Sequence, residues 1–126
     1  TIIINLSELR YEFKDRFTKT ENLMVTLKKK LNAKTVVVTR GSKGAIVLGN
    51  NNNFIKCPAF AKNTVDKVGA GDALLTIFSL CRFVGMNDDL AIFISSISAA
   101  NQTRILNNEI FLNRDELLKT IMHILK

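Results

Sequence analysis

The most informative stretch of this chain reads Gly69-Ala70-Gly71-Asp72-Ala73-Leu74-Leu75. Small residues are followed at once by an aspartate and an apolar run, which predicts a tight loop that opens directly into a buried helix. Glycine lets backbone N–H groups turn toward a ligand without a side chain in the way. The N–H groups of a first helical turn are unpaired and lie at the positive end of the helix dipole, so an anion is favoured there.

The aspartate in this stretch adds a second chemical function to the turn. A carboxylate beside an anion-binding turn suits a reaction in which a proton leaves while negative charge builds up nearby. Transfer of a phosphoryl group to an alcohol is such a reaction, because a hydroxyl is a weak nucleophile until it gives up its proton. The stretch therefore favours a site for phosphoryl transfer.

Length and composition limit the possible architectures. The chain has 126 residues, of which 47% are hydrophobic, so we expect at most one domain with a real core and no general disorder. No apolar stretch reaches the roughly 20 residues that cross a bilayer. Thr1–Asn5 resembles a strand and lacks the features of a signal peptide. The chain starts within a predicted strand, and we therefore expect a piece of a longer, cytoplasmic protein.

Charge and the rarer residues exclude several classes of site. The net charge is +7, and the densest cluster is Lys28-Lys29-Lys30. This cluster could attract polyphosphates or nucleic acid, but a solvated helix face is the favoured interpretation, and we expect no nucleic-acid or membrane partner. Cys57 and Cys81 lack metal-ligand spacing and are expected to be reduced core thiols. His123 is expected to be a surface or helix-end residue rather than a zinc ligand.

Alternating strands and helices predict an α/β sandwich. Strands are predicted at Thr1–Asn5, Thr35–Thr39, Ala45–Leu48 and Phe54–Cys57. Helices are predicted after an N-cap at Ser7 and over Glu21–Asn32, Ala70–Val84, Asn87–Asn101 and Arg114–Leu125, with Asn87 and Asn113 as caps of the last two. Ala70–Val84 is apolar on nearly every side and is therefore expected to be buried.

Residues 66–72 read Asp-Lys-Val-Gly-Ala-Gly-Asp, which resembles the Asp-x-x-Gly-Ala-Gly-Asp motif of the ribokinase-like (PfkB) carbohydrate kinases. The resemblance implies a three-layer αβα sandwich and ATP-dependent phosphorylation of a sugar or sugar-phosphate hydroxyl. It implies that Asp72 is the catalytic base and that the N–H groups of Gly69, Ala70 and Gly71 form the anion hole. Asp66 would lie near the monovalent cation site, for K⁺ or a similar ion, that many members use.

The end of the first predicted strand reads Asn5-Leu6-Ser7-Glu8. A helix-capping motif explains this pattern equally well. Members of the same family carry an Asn-x-x-Glu at this place that organises magnesium and phosphates. The resemblance thus implies that Asn5 and Glu8 bind the cofactor. Glu8 is a hard oxygen donor suited to Mg²⁺, directly or through water.

A glycine-containing turn follows the valine-rich strand and reads Thr39-Arg40-Gly41-Ser42-Lys43-Gly44. It could be purely structural, and it is not a Walker loop because GxxxxGK[ST] is absent. In the resembled family a Thr-x-Gly-x-x-Gly segment lines the nucleotide site. Thr39, Gly41 and Gly44 match that pattern, and Arg40 could neutralise phosphate charge.

The adenine contact is a weaker expectation. In the resembled family, the helix after the Gly-Ala-Gly-Asp helix contributes a small or amide residue near the adenine. Ser95 and Ser98 are the candidates here, and packing of small residues between helices is the alternative explanation for both. The segment Arg104–Asn108 lacks the glycine that members often have after this helix.

The resemblance covers the whole chain but only part of the family's fold. We expect the C-terminal, ATP-binding part of a kinase domain, without the N-terminal half that supplies most sugar contacts. Such a piece would be inactive alone and could dimerise through its exposed apolar face. Three segments, beginning at Asn5, Val38 and Cys57, are most similar to heptose-phosphate kinases, which are often joined to a cytidylyltransferase domain.

Two other functions are compatible with the sequence. A non-catalytic module of the same fold could keep the nucleotide pocket as a sensor, although the intact Asp72 argues against this. A nucleic-acid-binding domain would rest on net charge alone.

Overall fold

The computed structural model describes residues 1–61, 69–103 and 113–125. The elements in these residues are β1 (Ile2–Asn5), α1 (Leu6–Phe13), α2 (Thr20–Lys30), β2 (Val36–Thr39), β3 (Ala45–Leu48), β4 (Phe54–Cys57), α3 (Ala70–Phe83), α4 (Asp88–Gln102) and α5 (Arg114–Ile124). The chain divides into two compact units, Thr1–Cys57 and Pro58–Lys126. The first unit holds the four strands with α1 and α2, and the second holds α3, α4 and α5.

The first unit is built on a mixed sheet with the strand order β1-β2-β3-β4. β1 and β2 run parallel, whereas β2–β3 and β3–β4 are antiparallel pairs. Helices α1 and α2 form the crossover that a parallel strand pair requires. Thr39 pairs with Asn5 on one side and with Ala45 on the other. The carboxyl ends of β1 and β2 therefore meet at one edge of the sheet, which is where ligands bind in α/β folds.

The core of the first unit lies between one face of the sheet and helices α1 and α2. Alternate strand residues face this core because side chains of a strand point to opposite faces in turn. Its fully or nearly buried members are Leu9, Leu23, Met24, Leu27, Val36, Val38, Ile46 and Leu48. Val37 and Val47 point to the opposite face and are also fully buried. The central strands are thus apolar on both faces, which accounts for their β-branched sequence.

Lys28 links α2 to the β3–β4 hairpin. Its Nζ donates hydrogen bonds to the carbonyl oxygens of Gly49 at 2.5 Å and Asn50 at 3.2 Å, and to Oδ1 of Asn52 at 2.9 Å. The sequence-based interpretation of the lysine cluster as a solvated face is therefore wrong for Lys28. The solvated-face interpretation fits Lys29, which is exposed. Of the lysines in this cluster, Lys28 is the one that bonds the hairpin.

In the second unit, α3 packs on α4 through the buried side chains of Leu74, Phe78 and Cys81. The expectation that α3 is buried on nearly every side is wrong, since Leu75 is 45% exposed and Phe83 is 88% exposed. The buried residues follow a spacing of four and three, so only one stripe of the helix faces its neighbour. The apolar sequence of α3 predicts only which residues it contains. Which of them are buried depends on which helix faces pack against other elements.

The α3–α4 connection is held by polar side chains. Gly85 follows the end of α3 with a φ of +83°, a conformation that glycine adopts without a steric penalty. Arg82 pairs with Asp88, with 3.1 Å between Nε and Oδ1, and its guanidinium also donates to the carbonyl oxygen of Met86. Asn87 caps α4 by accepting a hydrogen bond from the Leu90 amide at 3.0 Å, which confirms the cap predicted there.

Cys57 and Cys81 are both buried and are not joined in a disulfide, which agrees with the expectation of core thiols. Burial raises the pKa of the Cys81 thiol, because desolvation disfavours the thiolate. In the ranges 1–61, 69–103 and 113–125, no helix combines the length and the apolar character that crossing a bilayer would need.

Candidate functional site

The N-terminus of α1 carries two of the predicted site residues in a reciprocal arrangement. Oδ1 of Asn5 accepts a hydrogen bond from the Glu8 amide at 2.9 Å. Oε2 of Glu8 in turn accepts one from the Asn5 amide at 3.0 Å. This is a capping box, and the capping explanation of the Asn-x-x-Glu pattern is confirmed.

The cap predicted at Ser7 is wrong, because α1 begins at Leu6 and Ser7 lies inside its first turn. Asn5 takes the cap position because it ends β1 with an extended backbone, at φ −84° and ψ 161°. An N-cap residue needs such a conformation. The Asn5 side chain can therefore reach the amide of Glu8.

The hairpin turn after β2 lies at the same edge of the sheet. Thr39 pairs with Asn5, and Arg40 follows it immediately. Residues Gly41–Lys43 form a single 3₁₀ turn, in which the Lys43 amide donates to the Arg40 carbonyl oxygen at 3.2 Å and the Gly44 amide to that of Gly41 at 3.0 Å. The Arg40 amide donates back to the Gly44 carbonyl oxygen at 2.8 Å and holds the two ends of the loop together. Gly41 and Gly44 have φ values of +58° and +75°, which explains the glycines in this pattern.

Arg40 is engaged mainly within this turn. Its Nη2 donates to the Lys43 carbonyl oxygen at 2.8 Å. Its Nε is buried, and within the described residues it has no hydrogen-bond partner. Lys43 is exposed, as the sequence suggested. The arginine thus rigidifies the turn and keeps one donor nitrogen unused in the described part of the chain.

The first unit brings together six residues that were predicted to bind the cofactor. They are Asn5, Glu8, Thr39, Arg40, Gly41 and Gly44. Glu8 is exposed, and the capping box uses its Oε2. A magnesium ion in a phosphate site takes one or two carboxylates and completes its shell with phosphate oxygens and water, so the donor chemistry of Glu8 fits a nucleotide-bound Mg²⁺. Among the described residues, no three His, Cys, Asp or Glu side chains cluster as a metal-binding group.

The N-terminus of α3 differs from that of α1. Gly69 is the N-cap, with a φ of +82°, and it offers no side chain to the amides of the first turn. Its carbonyl oxygen accepts the first helical hydrogen bond from Ala73 at 2.9 Å. Gly71 is exposed, and a Cβ built on it would meet no atom of the described residues within 4 Å. Within the described part of the chain, the space beside this turn is therefore open, and an anion could approach its amides.

Asp72 is the third residue of α3 and is exposed. A carboxylate in this first turn lies near the positive end of the helix dipole. Ala70 and Gly71 precede it directly on the same open turn. Asp66, predicted to lie near a monovalent cation, falls outside the described residues.

The two candidate adenine contacts lie in α4 and are fully buried. The Ser95 hydroxyl donates to the carbonyl oxygens of Ala91 at 2.7 Å and Ile92 at 3.2 Å, so its own helix satisfies it. This arrangement favours the packing explanation for Ser95. The Ser98 hydroxyl has no hydrogen-bond partner within the residues that the structure describes, so its contact with adenine stays a prediction.

One feature that the sequence did not indicate is an open groove of about 500 Å³ in the second unit. Its walls come from the segment at Phe60 and from helices α4 and α5. The groove could not be predicted from residue spacing, because its lining comes from three segments that are separate in the sequence. His123, expected at a helix end, is exposed in the last turn of α5 and lines this groove.

Comparison with protein families identifies a match over most of the chain. The model described as pfkB family carbohydrate kinase matches residues 1–102. A comparison with curated proteins finds no match.

Solved structures match the whole length of the chain. Ribokinase from Thermotoga maritima has a TM-score of 0.80 at 23% identity, over 97% of this chain and 42% of that one. Phosphofructokinase-2 from Escherichia coli in complex with potassium has a TM-score of 0.84 at 18% identity, over 99% and 41%. Ribokinase from Arabidopsis thaliana complexed with ribose and ATP has a TM-score of 0.81 at 24% identity, over 94% and 39%.

These comparisons establish a ribokinase-like α/β fold with a mixed sheet. The chain spans about two fifths of the length of the solved structures that it matches.

Proposed function

The chain belongs to the pfkB family of carbohydrate kinases, and we propose that it is the nucleotide-binding part of an ATP-dependent sugar kinase. The acceptor would be a hydroxyl group of a sugar or sugar phosphate. The observation that carries this proposal is the open N-terminus of α3, where Gly69 leaves the first-turn amides without a side-chain cap and Asp72 stands beside them.

In the proposed reaction, the acceptor hydroxyl gives its proton to the Asp72 carboxylate. The acceptor oxygen forms a bond to the γ-phosphorus of ATP as the bond to the bridging oxygen breaks, and ADP leaves. The amides of Gly69, Ala70 and Gly71 donate hydrogen bonds to the transferring group. A well-aimed donor of this kind is worth roughly 3–4 kcal/mol of transition-state stabilisation.

The edge of the first unit would hold the nucleotide. We assign Thr39, Gly41 and Gly44 to the phosphate-facing turn, with Arg40 supplying positive charge. Asn5 and Glu8 would orient Mg²⁺, which supplies charge neutralisation of the phosphates when bound. The exposed position of Glu8 and the common sheet edge support this assignment.

Two parts of the proposal rest on the relatives' complexes. Arabidopsis thaliana ribokinase has been solved with ribose and ATP, which supports ATP as the phosphoryl donor here. Escherichia coli phosphofructokinase-2 has been solved with potassium, which supports a monovalent cation, and Asp66 is our candidate ligand for it.

The sugar contacts would come from a second half of the kinase domain, and a heptose phosphate is the predicted acceptor. The test is an ADP-release assay with ribose, fructose 6-phosphate and a heptose phosphate. It compares this chain alone with a protein that joins it to a sugar-binding half, beside calorimetry with MgATP. We expect the isolated chain to bind MgATP without turnover and the joined protein to turn over.

Three outcomes would count against this assignment. Absence of MgATP binding in both proteins would overturn the nucleotide site. Binding without turnover in the joined protein would favour a nucleotide sensor, and rapid turnover by the isolated chain would overturn its assignment as one half of the enzyme.

A further inference from the structure

The groove between α4 and α5 has the size and lining of a small-molecule site. Its volume of about 500 Å³ lies within the range of roughly 300–1,000 Å³ that is typical of ligand pockets. Its apolar walls are Phe60, Ile97, Ala100 and Ile124. The ring of Phe60 is held edge-on against Phe93, with 5.5 Å between centroids and an interplanar angle of 87°.

Lys119 supplies the charge of the groove. Lys119 and His123 are exposed, and among the described residues no carboxylate lines the groove. Asn101 and Thr120 complete the lining and are joined across the two helices by a hydrogen bond of 3.4 Å. An apolar body with a single anionic group would complement these walls and this rim.

The groove lies beside the candidate adenine contacts on the same helix. Ile97, Ala100 and Asn101 are spaced by three and four residues, so they share one face of α4. Ser98 is three residues before Asn101 and borders this face, whereas Ser95 is two residues before Ile97 and lies on another side of the helix. Neither serine is among the residues that line the groove.

We propose that this groove is a binding site for a small apolar carboxylate, with its chain or ring between Phe60 and Ile97 and its carboxylate near Lys119. The inference does not depend on the kinase proposal, because it uses none of the residues assigned there.

Octanoate, titrated into the full chain, is the test ligand. His123 is the chain's single histidine, so its imidazole resonances can be followed by NMR without ambiguity. We expect a saturable shift of these resonances with octanoate, and weaker binding of the matched uncharged ligand 1-octanol. No shift with octanoate, or equally tight binding of 1-octanol, would overturn the proposal.

Two variants locate the site. Ala100→Leu fills the groove and should abolish the saturable shift, while circular dichroism verifies that the variant is folded. Lys119→Gln leaves the apolar walls intact and should weaken octanoate binding about threefold, as expected for an exposed ion pair. Lys29→Gln is the control, on an exposed lysine of α2, and should bind octanoate as the parent does.

The variants also give the outcomes that would refute the assignment. Unchanged octanoate affinity in both Ala100→Leu and Lys119→Gln would place the bound ligand elsewhere and overturn the site. A loss of affinity in Lys29→Gln equal to that in Lys119→Gln would show a general charge effect and would also overturn it.

Discussion

The N-termini of α1 and α3 are both positive helix ends, but their chemistry differs. At α1, Asn5 and Glu8 satisfy each other's backbone amides in a capping box. At α3, Gly69 provides no side chain, and the exposed Gly71 leaves space beside the turn. The first end, which we call closed, is capped by its own side chains, whereas the second, which we call open, has no side-chain cap from the described residues.

This difference separates stability from function at helix ends. A capping side chain typically contributes about 1 kcal/mol to stability. A glycine cap gives up part of that stabilisation and keeps donors available for an incoming anion. Three predictions test this comparison, beginning with the largest expected effect. A fourth, with the smallest effect, concerns a surface ion pair.

Replacing the aspartate of the open end should have the largest effect. In a turnover-competent protein that contains this chain, Asp72→Asn should lower turnover by roughly 10²–10⁴-fold, because the acceptor hydroxyl would lose its proposed general base. The affinity for MgATP should change little. Steady-state kinetics and calorimetry measure the two quantities.

Asp89→Asn is the matched control, since Asp89 is an exposed aspartate in the first turn of α4. It should leave turnover unchanged. A loss of MgATP affinity in Asp72→Asn without a loss of turnover would refute the catalytic role and leave an electrostatic one.

Adding one methyl group to the open end should separate activity from stability. The methyl group added by Gly71→Ala meets no atom of the described residues within 4 Å, and the change removes a flexible residue from a helix. Its free energy of unfolding should stay level or rise by up to about 1 kcal/mol. Turnover should fall at least about tenfold, because the methyl group enters the space proposed for the phosphoryl group.

Gly85→Ala is the control and should show the opposite result, with lower stability and unchanged activity. Its φ of +83° strains any side chain, so stability should fall by about 1 kcal/mol while turnover per folded molecule is retained. Full activity of Gly71→Ala would show that no ligand approaches the first turn of α3 closely.

Opening the closed end should have a moderate effect. Asn5→Ala removes the cap of α1 and should lower the free energy of unfolding by about 1 kcal/mol. It should also weaken MgATP binding, if the same side chain orients the metal and phosphates. Urea denaturation and calorimetry test the two effects separately.

Asn87→Ala at the N-terminus of α4 should cost similar stability without a change in MgATP affinity. Equal MgATP affinities in the two alanine variants would show that Asn5 acts only as a helix cap and does not contribute to nucleotide binding.

The smallest expected effect concerns a surface ion pair of the first unit. Lys56 Nζ lies 2.9 Å from Oε1 of Glu21, and this hydrogen bond lowers the pKa of the Glu21 carboxyl. A carboxyl whose pKa is lowered on folding stabilises the protein above its unfolded pKa of about 4.3, and this contribution is lost as the pH falls through the lower folded value. Lys56→Gln should therefore cost a few tenths of a kcal/mol at neutral pH and nothing in strong acid.

Urea midpoints near pH 7 and pH 2 measure this difference, with Lys43→Gln, on an exposed lysine, as the control. A cost for Lys56→Gln that persists unchanged in acid would show that packing of its stem, and not the ion pair, is responsible.

Much of the fold follows from local sequence patterns. The four strands and the five helices lie within a few residues of their predicted positions, and the cap at Asn113 was found as well as that at Asn87. The predicted cap at Ser7 failed because two polar residues compete near the start of α1. The end of β1, set by its pairing with β2, places Asn5 in the extended conformation that a cap requires.

At the candidate site, local backbone geometry was predicted better than side-chain contacts. Motif spacing placed the start of a helix at this glycine turn with Asp72 in its first turn, which the structure confirms, since backbone conformation there depends mainly on neighbouring residues. It did not reveal that Ser95 bonds its own helix or that Lys28 holds a hairpin more than twenty residues away. The groove at Phe60 was also missed, since no single segment contains its pattern.

The sequence by itself determined the secondary structure, the positive-φ glycine of the α3 turn and the family, because backbone sterics and short-range spacing act within a few residues. Only the tertiary structure decided which apolar face of α3 is buried, which polar residue caps α1 and which lysine of the cluster bonds a hairpin. These depend on partners that are distant along the chain. Their positions are set by sheet pairing and helix packing.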